Sequence, residues 1–142
     1  MAVSKPVFGT TTAITITLAS LGNSNSATSS TIDNTSDRFI DANVEIIVVS
    51  AASGTTATGY VEVFVKGSID GTDFATDTAD RKIGAFGVVA NSTTYKAVFS
   101  IAQALGGMAT PYWQIRVRNV SGAPLAASGS SSAYRGFHIE TV

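Results

Sequence analysis

Apolar and polar residues alternate one for one in six separate stretches of this chain, and that pattern leaves few folds open. Ile14, Ile16 and Leu18 alternate with Thr15 and Thr17. Ile40, Ala42, Val44, Ile46 and Val48 alternate with Asp41, Asn43, Glu45 and Ile47. Val61, Val63 and Val65 form a third set, and Tyr95, Ala97, Phe99 and Ile101 a fourth. Trp113, Ile115 and Val117 alternate with Gln114, Arg116 and Arg118, and Phe137 and Ile139 with His138 and Glu140. A period of two on β-branched and aromatic residues marks strands with one buried face. A weaker strand is expected within residues 83–90, where Gly84 and Gly87 interrupt the pattern. No stretch holds a 3.6-residue period; residues 102–107 make at most one helical turn. A single sheet would leave its apolar face wet, whereas two packed sheets bury it. The expectation is an all-β antiparallel β-sandwich of about seven or eight strands, jelly-roll-like or immunoglobulin-like, the periodicity leaving both topologies open.

The chain has 142 residues, enough for one core and one domain spanning 1–142. It has no cysteine, so disulfides, thiolate nucleophiles and zinc–thiolate sites are excluded. Only 13% of residues are charged and the net charge is −1, while Ser and Thr supply 35 residues. So neutral a surface offers no footprint for nucleic acid or an anionic membrane. It suits packing against copies of itself or a partner, because little charge holds copies apart. The N-terminus lacks the apolar core of a signal peptide, and the longest strongly apolar run, residues 46–49, is too short to span a bilayer. Assembly in a cytoplasm is expected. Three N-x-S/T sequons, at Asn34, Asn91 and Asn119, read as chance in a hydroxyl-rich chain.

Residues 20–36 and 121–132 read as long polar loops. Residues 1–12 carry Val3, Val7 and Phe8 around Pro6 and read as an extended N-terminal arm, either docked on a neighbouring chain or frayed.

The stretch GSIDGTDFATDTAD, residues 67–80, holds four of the ten acidic residues. Asp70-Gly71 is a strong turn signal. The acids do not follow the ligand spacing of a calcium loop, and a short polar loop does not supply the apolar setting that raises the pKa of a general acid. A surface turn is the expected role.

Other chemistry is sparse. His138 is the only histidine, on the polar phase of the last strand beside Tyr134, and no nucleophile elbow, zinc-protease helix or phosphate loop occurs. No catalytic, cofactor or metal-binding residue is assigned, and an enzyme is not expected. Arg116 and Arg118 share a strand face and suit a solvated stripe or a contact with a neighbouring subunit. Phe64, with Ile47 and Val49, is apolar on a nominally wet phase, as if that face were covered or its strand were central. The candidate interface therefore comprises Val7, Phe8, Phe64, Arg116, Arg118, Tyr134 and His138.

The segment VEVFVKGSIDGTDF (61–74) resembles a strand-plus-turn of small virion proteins of tailed bacteriophages, a strand ending in S-x-D-G-T before an aromatic residue. The segment IAQALGGMATPYWQIRVRNVSGAPL (101–125) resembles a second stretch of that group, and residues 13–18 with the following Ser/Asn-rich loop a third. The resemblance implies a non-enzymatic structural component of a phage particle, first of all a capsid decoration (cement) protein. Its partners would be the major capsid protein and copies of itself in a homotrimer, and its place the virion. The alternative is a tail, neck or fibre-associated module that binds glycans or a receptor through the loops at one end of the sandwich.

Overall fold

The sharpest alternations become the central strands. In the computed structural model, which describes residues 2–142, Val44, Ile46 and Val48 of β5 (Asp41–Val49) are fully buried. So are Val61, Val63 and Val65 of β6 (Tyr60–Ser68), and Ile115 and Val117 of β9 (Tyr112–Val120). The remaining strands are β1 (Ser4–Phe8), β2 (Thr12–Ala13), β3 (Ser26–Thr28), β4 (Ile32–Asp33), β7 (Arg81–Gly87), β8 (Thr94–Ser100) and β10 (Ser131–Thr141). Every pairing is antiparallel. No helix occurs among the described residues; residues 101–107 form turns.

One sheet runs β1-β10-β5-β8, with β2 continuing β1 along the same edge of β10. The other runs β3-β9-β6-β7, with β4 beside β3 on β9. Taking β1 with β2 and β3 with β4 as two interrupted edge strands leaves eight. Every connection between successive strands then crosses from one sheet to the other, except the one from β6 to β7. This is a jelly roll, and it resolves the choice of topology that periodicity left open.

The inner faces meet at Trp113 and Tyr134, whose rings pack edge to face with centroids 5.2 Å apart. Phe39 lies across Gly9 and Gly136, where a Cβ on either glycine would run into its ring. The missing side chains let an aromatic ring close that end of the core.

Two expectations are corrected here. Residues 14–18 form no strand ladder, although Ile14 and Leu18 are buried. Ile14 N–H donates to the Ser132 carbonyl at 2.9 Å, and Ser30 N–H to the Thr15 carbonyl at 2.9 Å, so the segment passes from one sheet towards the other. Its alternation reported burial, not pairing. The phase of β10 is also the reverse of that expected. Ser132, Tyr134 and Gly136 sit opposite Ile46, Val44 and Ala42 and point inward, so Phe137 and Ile139 point outward. The register against β5 sets the phase, and the apolar pair at the end of the strand lies where that register stops.

The two polar loops are more structured than their composition implies. Residues 20–36 contain β3 and β4. Asn34 accepts from Phe39 N–H at 2.8 Å and donates to its carbonyl at 2.9 Å. Asn119, fully buried, donates to the carbonyls of Leu21 and Ala123, both at 2.8 Å. Two of the three sequon asparagines therefore tie loops to the sandwich, which meets the requirement that buried polar groups be paired.

Candidate functional site

Surface features of three kinds stand out, and the first two follow from strand register. The first is the outer face of the β1-β10-β5-β8 sheet. β10 pairs with β5 only as far as Phe137↔Asp41; its last residues pair with β1 alone. The described part of the expected N-terminal arm is thus a strand on its own chain, and it packs against no element but β10. The result is a two-stranded ribbon standing beyond the sandwich, an arrangement that has little stability of its own in water. Its outward side is apolar: Pro6 lies opposite Ile139, and Phe8 opposite Phe137 with ring centroids 5.6 Å apart. Phe8 is 53% exposed and Ile139 49%. The Arg135 guanidinium lies 5.4 Å from the centre of the Phe8 ring, and its Nε donates to the Gly9 carbonyl at 2.9 Å. On the other side Lys5 faces Glu140, and Val7 faces His138. His138 stacks on Phe39 at 6.2 Å and lies 3.3 Å from the Glu140 carboxylate.

The free edge of the ribbon is guarded. Val3 and Val142 exchange backbone hydrogen bonds, and Gly9 N–H donates to Gly136. The odd-numbered residues of β1 therefore bond β10, and Ser4, Pro6 and Phe8 face outward. Pro6 has no N–H to offer at the middle of that edge, which hinders addition of a further strand there.

The second feature is the outer face of the β3-β9-β6-β7 sheet. Register places Arg118 opposite Glu62, Arg116 opposite Phe64 and Gln114 opposite Lys66, with Lys82 flanking Phe64. The connection from β6 to β7, residues 69–80, folds back over this face. Asp80 receives Arg116 Nε at 2.6 Å and Nη2 at 3.2 Å. Arg116 also donates to Ser26 Oγ at 2.9 Å, and its guanidinium stacks 4.2 Å from the centre of the Phe64 ring. Lys66 pairs with Asp77. The acidic stretch is thus more than a surface turn: two of its carboxylates neutralise cations of the sheet. The hydrogen bond from Lys66, then the attraction of Lys66 and Arg116, holds the Asp77 carboxyl below the usual range. The bond to Asp80 raises Arg116 above its ordinary value. At the start of the loop Asp70 does serve the turn, accepting from the N–H groups of Thr72 at 2.9 Å and Asp73 at 3.0 Å. Among the described residues no three His, Asp or Glu side chains are grouped to hold a metal ion.

The third feature is a cleft of about 630 Å³ between that loop and residues 103–110, at one end of the sandwich. Asp73, Arg81, Gln103 and Thr110 give it polar groups and Leu105 an apolar wall, and no aromatic ring lines it.

No family model matches the chain, and no curated protein matches it. Among solved structures it is similar to a xylan-binding module, with 15% identity and a TM-score of 0.45 over 96% of this chain and 97% of that one. It is also similar to a xylan-binding domain from Paenibacillus barcinonensis, with 9% identity and a TM-score of 0.43 over 99% of this chain and 85% of that one. A third likeness is to the structure of infectious bursal disease virus, with 12% identity and a TM-score of 0.46 over all of this chain and 33% of the viral one. Likenesses this distant carry no argument about what the chain does.

The candidate interface residues fall into three groups. Phe8 is exposed on the ribbon, with Val7 and His138 half-buried on the ribbon's other side. Phe64 and Arg116 are taken up by each other and by the acidic loop, while Arg118 stays exposed beside Glu62. Tyr134 is in the core against Trp113, where burial raises its hydroxyl pKa. Covering of the Phe64 face, which the sequence implied, comes from the chain's own loop. Phe137 and Ile139 read as core in the sequence because the last strand has the alternation of any half-buried one.

Proposed function

We propose that this chain is a non-enzymatic structural protein of a tailed-phage particle, a capsid decoration (cement) protein that binds the assembled shell as a homotrimer. The observation that carries the reading is the ribbon: an apolar face formed by Pro6, Phe8, Phe137 and Ile139, with the Arg135 guanidinium over the Phe8 ring and no other strand packed on it. Exposed apolar side chains gathered on one projecting element mark contact sites. The sequence resemblance supplies the particle, and the sparse charge supplies the tolerance for close packing of copies. Stabilisation would come from surface buried at many equivalent positions, where modest contacts add through multivalency. In a cyclic trimer each ribbon would meet a different patch of the next copy, a heterologous contact that closes after three rotations.

Co-sedimentation with shells assembled without this chain tests the proposal. Wild type should bind saturably, and Phe8→Glu or Ile139→Glu should weaken binding while leaving circular dichroism unchanged. A wild type that ignores shells but is retained by immobilised glycans, with retention lost on substitution of Gln103 or Arg81 in the cleft, would favour the receptor-binding alternative.

A further inference from the structure

The outer face of the β3-β9-β6-β7 sheet has the composition of a ligand site. Lys66, Lys82, Arg116 and Arg118 all emerge on it, and the strands themselves supply two acids, Glu62 and, at the far end, Asp33 of β4, which is bonded to Thr35. Glu62 is taken by Lys82 at 2.8 Å and Arg118 at 3.5 Å. The remaining two cations, Arg116 and Lys66, have side chains only 9% and 10% exposed. Two buried cations beside an aromatic ring require anions, because an unpaired buried charge is strongly destabilising. Those anions arrive from residues 69–80, and by side chains above all. Past the opening turn, where Asp70 and Gly71 N–H donate to Ser68 Oγ of β6, the backbone hydrogen bonds of this segment are internal, from Ala79 and Asp80 N–H to the Thr76 carbonyl. From residues 72–80 across to the sheet the polar contacts are the Asp77 and Asp80 carboxylates and one long bond, 3.5 Å, from Arg116 to the Asp77 carbonyl.

We propose that this face is a binding surface for an acidic peptide segment that presents two carboxylates from one turn, and that residues 69–80 occupy it in the free chain as a displaceable stand-in. The stand-in defines the ligand chemistry: two carboxylates three residues apart, one bidentate on the Arg116 fork and one on the Lys66 ammonium, with the guanidinium held flat by Phe64. Planar two-point recognition of a carboxylate is what an arginine does best. Tethering gives the stand-in a high effective concentration, so an incoming segment must match it or come in several copies. This proposal goes beyond the particle reading and does not need it, since the isolated chain suffices for its test.

The probe is a fluorescein-labelled synthetic peptide of residues 71–80, GTDFATDTAD, read by anisotropy. It should bind the Asp77→Asn/Asp80→Asn variant at least roughly tenfold more tightly than wild type, a difference of about 1.4 kcal/mol. Binding should be lost when Arg116→Gln is added, or when both aspartates of the peptide that correspond to Asp77 and Asp80 are replaced by asparagine. If the double variant does not fold by circular dichroism, Asp77→Asn alone should shift affinity in the same direction. Equal binding to wild type and variant, no binding to either, or binding that survives Arg116→Gln would overturn the proposal. So would a single-stranded oligothymidine that binds the variant as tightly as the peptide, since the surface would then select charge and not a peptide.

Discussion

Trp113 of β9 and Tyr134 of β10 pack edge to face across the sandwich at an interplanar angle of 82°. The two strands belong to opposite sheets, so this pair joins the halves of the core. Trp113→Ala should cost about 3–5 kcal/mol in denaturant unfolding, the usual range for a large aromatic lost from a core. Trp113 is the chain's one tryptophan, so native emission should be blue-shifted and shielded from iodide. Red, freely quenched emission would show that β9 faces the other way.

The acidic residues of the β6–β7 connection should separate sharply by position. The Asp80 side chain is 3% exposed against Arg116, and Asp80→Ala should cost about 3 kcal/mol by leaving a buried guanidinium unpaired. Asp73→Asn should stay within about 0.5 kcal/mol, as for an ordinary surface change. Urea midpoints of the two variants decide it; similar midpoints would mean that Arg116 finds water when Asp80 is gone.

Acid should loosen the neighbouring pair of Asp77 with Lys66. Asp77 titrates below its ordinary value of 3.8 in the folded chain. A carboxylate with a depressed folded-state pKa stabilises fully above the unfolded value, and that contribution is lost as pH falls through the folded one. Melting temperature should therefore hold from neutrality down to about pH 4 and drop below it, more steeply in wild type than in Asp77→Asn. Asp77 is 65% exposed, so salt should screen part of the effect. Parallel acid limbs in the two proteins would remove Asp77 from the account.

Gly136 is expected to resist any side chain. A Cβ there runs into the Phe39 ring, so Gly136→Val should destabilise by about 1–3 kcal/mol through overpacking. Phe39→Ala in the same chain should recover part of that loss. A coupling of zero in the double-mutant cycle would show that the ring does not lie over Gly136.

The alternation of β5, β6 and β9 announced both strands and buried faces, because each is central and covered by the opposite sheet. What stayed hidden has physical causes. Residues 14–18 alternate yet pair with no strand, since burial of Ile14 and Leu18 needs only an extended chain along the core. Phe137 and Ile139 read as core because nothing in sequence says where β5 ends beside β10. β3 and β4 are too short and polar for a periodic signal. The basic face was visible in Arg116 and Arg118, and its acids in the 67–80 stretch, but only the fold brings Asp80 to Arg116 across a sequence separation of 36.

The central claim is that the apolar face of the β1–β10 ribbon is where this chain meets copies of itself and its partner. Light scattering on purified protein tests it most directly. Wild type should show a mass near three times the 14.6 kDa of one chain, and Phe8→Glu should return a folded species of 14.6 kDa with unchanged circular dichroism. A wild type that stays at 14.6 kDa at every concentration, or an oligomer indifferent to charge at Phe8 and Ile139, would contradict it.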